Sequence, residues 1–204
     1  MSTLEEYFCM INFSITPEEL NELPIGAWEG DIVLIDNPLD VQGAIDEISK
    51  ESIIGIDTET RPAFKKGVVY RISLVQIATV DCVYLFRLHQ VGLPLGLIKI
   101  FESEEVMKVG IDLHHDMGTL QYFRKFTPKN VIELNSYCTQ KGFLVMGLRK
   151  LSAAILGIRI SKRQQTSNWE AETYSPAQIK YAATDAWACR ALFVRLMENG
   201  IYPD

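Results

Sequence analysis

The apolar run Asp-Ile-Val-Leu-Ile-Asp at 31–36 predicts a strand, and the acidic stretch from Leu39 to Lys50 predicts a helix after it. Three strand patterns follow at 52–58, 69–79 and 82–86, and their close spacing suits an antiparallel meander. Helical patterns then alternate with short strands at 106–111 and 130–134, which predicts an α/β mixed sheet flanked by helices. The last helix has the sharpest boundaries. Ser175-Pro176-Ala177-Gln178 is a capping box with proline at the first helical position, and Gly200 is the stop. Residues 1–29 read as a polar, acidic N-terminal arm or short helix, and 30–204 as a single domain without repeats, low-complexity tracts or Gly/Ser linkers.

Two elements in this pattern carry acids where apolar residues are expected. Ile-Gly-Ile-Asp-Thr-Glu-Thr at 54–60 places Asp57 and Glu59 two apart in a strand, so both share one face. Tyr-Ala-Ala-Thr-Asp at 181–185 places Tyr181 and Asp185 four apart in a helix, again on one face. Between them, Lys108 to Leu120 reads as a short strand running into a helix, with Asp112 and Asp116 as candidate ligands. Two divalent ions about 3.5–4 Å apart require a bridging carboxylate with further acids on either side. Magnesium and similar hard cations prefer such oxygen ligands. Without cations the cluster is costly, because two like charges 4 Å apart repel by about 4 kcal/mol at an effective dielectric near 20.

These segments resemble the 3′–5′ exonucleases of the DEDD group, which includes ribonuclease D, Werner-type exonucleases and polymerase proofreading domains. The Asp-x-Glu motif of that family is matched by Asp57 and Glu59, and its Asp with Leu four residues on by Asp116 and Leu120. Its Tyr-x-x-x-Asp motif, the mark of the tyrosine subgroup, is matched by Tyr181 and Asp185. Thr-Ser-Asn-Trp-Glu at 166–170 is also similar to ribonuclease D and Werner-type sequences, and the resemblance runs from about residue 30 to 199. It implies a ribonuclease H-like fold and two Mg2+ or Mn2+ ions held by Asp57, Glu59, Asp116 and Asp185. It also implies a role for Tyr181 in orienting the attacking water. The implied reaction is 3′–5′ hydrolysis of single-stranded DNA or RNA to nucleoside 5′-monophosphates. Relatives of these types can carry a further nucleic-acid-binding domain or a helicase, so a bare catalytic domain drawing on such a partner is the expectation here. A non-catalytic nucleic-acid-binding module and a hydrolase of small phosphate esters are the alternatives.

Composition changes this picture in one respect. The net charge of −6 looks wrong for an enzyme of nucleic acids, but residues 1–51 carry −11 and residues 52–204 carry +5. Residues 135–169 hold Lys141, Arg149, Lys150, Arg159, Lys162 and Arg163 and no acid. Lys162 and Arg163 are therefore expected on the substrate backbone. Thr60, Phe64, Lys65 and Lys66, which follow the first acidic strand, are further candidates for substrate contact. Phe64 reads as a wedge against the terminal base or as loop packing, and Lys65 and Lys66 as phosphate contacts or a solvated pair. His114 and His115 are expected to be structural, and Trp169 a core residue. Cys9, Cys82, Cys138 and Cys189 lack metal or disulfide spacing, which suits free thiols in the cytoplasm. No segment reads as a membrane span or signal peptide.

Overall fold

The computed structural model describes residues 14–63, 65 and 67–203. Phe64, Lys66 and Cys9 lie outside the described residues, so the contacts expected of them are not placed. The described chain forms a six-stranded mixed sheet of the expected α/β, ribonuclease H-like class. Its strands are β1 (Asp31–Ile35), β2 (Ile53–Thr60), β3 (Ile72–Ala78), β4 (Cys82–Arg87), β5 (Met107–Gly110) and β6 (Val131–Glu133). They lie in the order β1-β4-β3-β2-β5-β6. The predicted meander is present, with β2 antiparallel to β3 and β3 to β4, while β5 and β6 extend the sheet in parallel beside β2.

Alternation within the strands feeds two cores. Ile54, Ile56, Val75 and Ile77 face one layer, where they meet α2 (Val41–Ile48), α4 (Leu95–Glu102) and α5 (Leu113–Leu120). A four-residue helix, α3 (Leu88–Val91), precedes α4. Leu74, Ala78, Val83 and Leu85 face the other layer, packed with Trp169 and with Ala182, Ala183 and Ala186 of the long helix α8 (Pro176–Glu198). Two shorter helices, α6 (Leu134–Gln140) and α7 (Leu148–Leu151), complete that side, α7 running on into a wider turn over Ser152–Leu156. Trp169 is fully buried, as expected, with the rings of Tyr174 and Tyr181 at 5.5 and 6.1 Å.

Two predicted boundaries differ for physical reasons, and the short helix expected in the arm is present. The helix expected from Leu39 opens as a 3-10 turn at Pro38–Asp40 and becomes α-helical only at Val41, because Asn37 caps the turn through the Leu39 amide. The strand expected from 69 begins at Ile72, where β2 offers its last partner, Thr60, across a bulge; Val69 stands 90% exposed. The N-terminal arm contains a defined helix, α1 (Pro17–Glu22), with a Thr16–Glu19 capping box. The end of α8 is as expected, with the Ser175–Gln178 box at its start and Gly200 at φ 74° beyond its end. Among the described residues the cysteines are free thiols, and no helix is long and apolar enough to cross a membrane.

The two layers meet most closely at Gly55. A side chain there would run into the Ala186 carbonyl oxygen and the Arg190 backbone of α8. Arg190 secures the crossing by donating from Nε to the Ile53 carbonyl at 3.1 Å. Gly55→Ala is therefore expected to destabilise the chain by about 3 kcal/mol, at the upper end of overpacking costs. Thermal unfolding checks this, and a melting temperature within about 2 °C of the parent, against the fall of roughly 6–12 °C expected, would contradict it.

Candidate active site

The acids of β2 lie on the face that α8 covers. Odd positions of the strand point to that helix, so Asp57 and Glu59 share the side on which Gly55 admits it. On α8, Asp185 precedes Ala186, the residue that touches Gly55, and the same contact that joins the layers brings Asp185 to the strand acids. One carboxylate oxygen each from Asp57, Glu59 and Asp185 lies within 4.8 Å of the others. Asp116, in the first turn of α5, sits outside this trio but lines the same cavity and raises the pKa of both strand acids. Asp112 caps α5 with φ 53° and donates its amide to Glu133 at 3.0 Å. It also lines the cavity.

Electrostatics mark the group as unsettled when empty of cations. Burial is the largest influence on each acid. It raises Asp57 well above the carboxylate range, helped by Asp185 and Asp116. It lifts Glu59 to about 10, with the charges of Asp57, Asp185 and Asp116 adding to the rise. Asp116 rises to about 6, against an opposing hydrogen bond from the Thr58 hydroxyl. Asp185 rises to about 7 despite the hydrogen bond from Tyr181 and the nearby charge of Lys162. The Tyr181 hydroxyl is itself pushed up by burial, then by Asp185 and Glu59, so it stays protonated.

The residues fit a divalent cation. The donors are all oxygens, as hard cations require. Asp185 Oδ1 is buried without a hydrogen-bond partner. Gln76 stands directly across the ladder from Asp57, fully buried, and both polar atoms of its amide are likewise unpartnered. Orphaned buried polar atoms beside a carboxylate cluster are what a hydrated cation would satisfy. Asp57, Glu59 and Asp185, with Asp116 beside them, are the residues that would hold it.

The cavity has a volume of about 700 Å³ and a mixed lining. The lining also carries Arg149, Lys150, Lys162 and Gln165, with Lys162 near enough to Asp185 for its charge to act on that acid. Of the expected cationic pair, only Lys162 reaches the cavity. Arg163 opens the next turn, its amide bonded to Ser161 Oγ at 3.3 Å, and its side chain is exposed elsewhere. Thr60 is also absent from the lining, because it lies at the end of β2 beyond the bulge that follows Glu59, where it is exposed. Lys65 lines a separate cavity of about 490 Å³ with Arg61, Tyr70 and Asn168. His114 and His115 are both exposed and neither lines the cavity, but His115 acts on Asp116, whose pKa its charge lowers. Arg149 and Lys150 belong to the acid-free stretch but were not distinguishable within it by composition. Thr16 to Asn21 was missed as a wall of the cavity, although Thr16-Pro17-Glu18-Glu19 is a legible helix start.

Comparison with known proteins agrees with this geometry. Residues 32–200 match the 3′–5′ exonuclease family, and the chain belongs to that family. A 3′–5′ exonuclease of Arabidopsis thaliana is 34% identical over 149 residues, covering 70% of this chain and 51% of its own length. Ribonuclease D of Gluconacetobacter diazotrophicus is 30% identical over 175 residues, covering 83% of this chain and 43% of its own. This chain thus spans about half or less of these relatives. The fold is shared with the Nibbler EXO domain of Aedes aegypti, at a TM-score of 0.77 and 21% identity over 85% of this chain and 92% of that one. It is shared also with Escherichia coli ribonuclease D, at 0.75 and 16% over 83% and 45%.

The raised carboxyl values have a signed consequence. Folded values above the ordinary range mean that the metal-free native state binds more protons than the unfolded chain from about pH 4 up to the Glu59 value of about 10, so stability falls as pH rises through that window. In chelator, the melting temperature is expected to drop between pH 5 and pH 8, and Asp57→Asn is expected to flatten the drop. Added magnesium or manganese is expected to raise the melting temperature by mass action, and the Asp57→Asn protein to respond less. Thermal scans check both, and equal metal responses in the two proteins would place the cation elsewhere.

Proposed function

We propose that this chain is a 3′–5′ exonuclease that hydrolyses single-stranded DNA or RNA from its 3′ end, releasing nucleoside 5′-monophosphates, with two Mg2+ or Mn2+ ions. The observation that carries the reading is the convergence of Asp57, Glu59 and Asp185 within one cavity whose lining also carries Arg149, Lys150 and Lys162. A binding module gains nothing from buried carboxylates beside a phosphate, which argues against the non-catalytic alternative. A small phosphate ester would leave the cationic side largely unused.

When bound, divalent cations lower the pKa of a water and offset charge on the phosphoryl oxygens. The chain supplies the rest. Lys162, near Asp185, and Lys150 and Arg149 hold backbone phosphates, so the strand end is presented to the acids in one direction. Tyr181 keeps its proton, which suits a group that orients the attacking water by hydrogen bonding and not a base. Its hydroxyl donates to Asp185, which couples that orientation to the carboxylate cluster. Water oxygen attacks phosphorus, the bond to the 3′ oxygen breaks, and that oxygen leaves as the new 3′-hydroxyl. A separate helicase or nucleic-acid-binding protein would supply targeting.

Digestion of matched DNA and RNA strands with either end blocked tests the reading. A free 3′ end should be required, and free nucleotides should not be hydrolysed. Asp185→Asn is expected to lower turnover by about 10²-fold or more, as for other losses of electrostatic catalysis, while the fold persists. Tyr181→Phe is expected to lower turnover and leave metal-dependent stabilisation unchanged. Parent-like turnover in Asp185→Asn, or degradation from a 5′ end, would overturn the assignment.

A further inference from the structure

The family match begins at residue 32, yet one wall of the cavity lies before it. Ile15, Thr16, Pro17, Leu20 and Asn21 line the same space as Asp57 and Asp185. This segment is firmly built. Thr16 donates its amide to Glu19 at 2.8 Å, and the Glu19 amide donates to Thr16 Oγ1 at 3.2 Å, closing the capping box of α1. Leu20 is buried, and Ile15 packs on the core cluster that contains Leu134 and Phe193. Farther along, Arg159 donates its amide to the Pro24 carbonyl at 2.8 Å, and Gly26 donates to the Arg159 carbonyl at 3.1 Å. The arm is thereby tied to the stretch that carries Lys162.

This wall differs from the stretches that supply Arg149, Lys150 and Lys162 in offering no cation. Its lining side chains are uncharged, and the only charges on α1 are Glu18, Glu19 and Glu22. A strand that ends in the cavity has a phosphate on one side of its last nucleoside and only a hydroxyl on the other. The phosphates belong with Arg149, Lys150 and Lys162. The last nucleoside belongs where no cation is offered and acids discourage a continuing backbone. Ile15, Pro17 and Leu20 suit the apolar face of a base or sugar, and Asn21 offers both a donor and an acceptor to a base edge.

We propose that α1, with the residues just before it, is the surface on which the 3′-terminal nucleoside rests. The proposal builds on the exonuclease reading above and assigns a substrate contact to a segment outside the family match.

Equilibrium binding of labelled single strands to the full chain tests it, with calcium replacing magnesium so that the strands survive. One strand is complete; the other lacks only its 3′-terminal base. The parent protein is expected to bind the abasic strand about tenfold more weakly, the scale of a lost apolar contact in a pocket. In the Leu20→Ala, Asn21→Ala double variant, the complete strand should already be weakened and removal of the base should change little, since the two losses remove one contact. No penalty in the parent, or an equal penalty in parent and variant, overturns the proposal. A second pair guards against a variant that merely unfolds α1. Glu19 is outside the cavity lining; Glu19→Gln preserves the capping box and Glu19→Ala removes it. The abasic penalty should persist with Gln and shrink with Ala, and equal penalties in both also overturn the proposal. If the parent degrades neither strand in magnesium or manganese, the exonuclease reading itself fails and this inference falls with it.

Discussion

The site depends on how closely α8 can lie on β2. Glycine at position 55 removes the side chain that would hold the helix away, and the backbone of Ala186 and Arg190 comes up against it. Asp185 sits next to that contact, so the separation of the layers and the separation of the carboxylates are one quantity. The cost is electrostatic. Burial raises all four acids, and the charges of their neighbours raise the two strand acids further, which favours exchanging protons for cations.

The charge distribution follows the same division of labour. An overall charge of −6 conceals an acidic N-terminal quarter and a basic remainder, and the cavity joins them. Its lining brings together the acid cluster, the cations Arg149, Lys150 and Lys162, and uncharged side chains of an otherwise acidic helix. The cations of the cavity all come from the basic part of the chain, so the negative net charge of the whole does not describe its lining.

Much of this was legible in the sequence because it rests on local periodicity. Two acids in an apolar strand must share a face, Tyr181 and Asp185 must share another, and the Ser175–Gln178 box marks where their helix begins. The meander and the short parallel strands followed from pattern and spacing alone. What escaped depends on tertiary placement. Gly55 is silent until the helix above it is known, and Gln76 reads as an ordinary strand residue until it is seen across from Asp57, buried and unpartnered. Lys162 and Arg163 are equivalent as neighbouring cations, but a turn sends only the first into the cavity. Thr60 is separated from Glu59 by the bulge at the end of β2. The arm was legible as a helix start, but its docking against the cavity depends on the Pro24–Gly26 ladder with Arg159, which no local pattern announces.

The central claim is that these carboxylates form one shared cation site, and electron paramagnetic resonance of manganese(II) titrated into the chain tests it most directly. Two ions about 3.5–4 Å apart, the separation of two-metal sites, would be magnetically coupled. The account predicts that the spectrum broadens into that of a coupled pair as the second equivalent binds. A spectrum at saturation that remains that of isolated ions would contradict it.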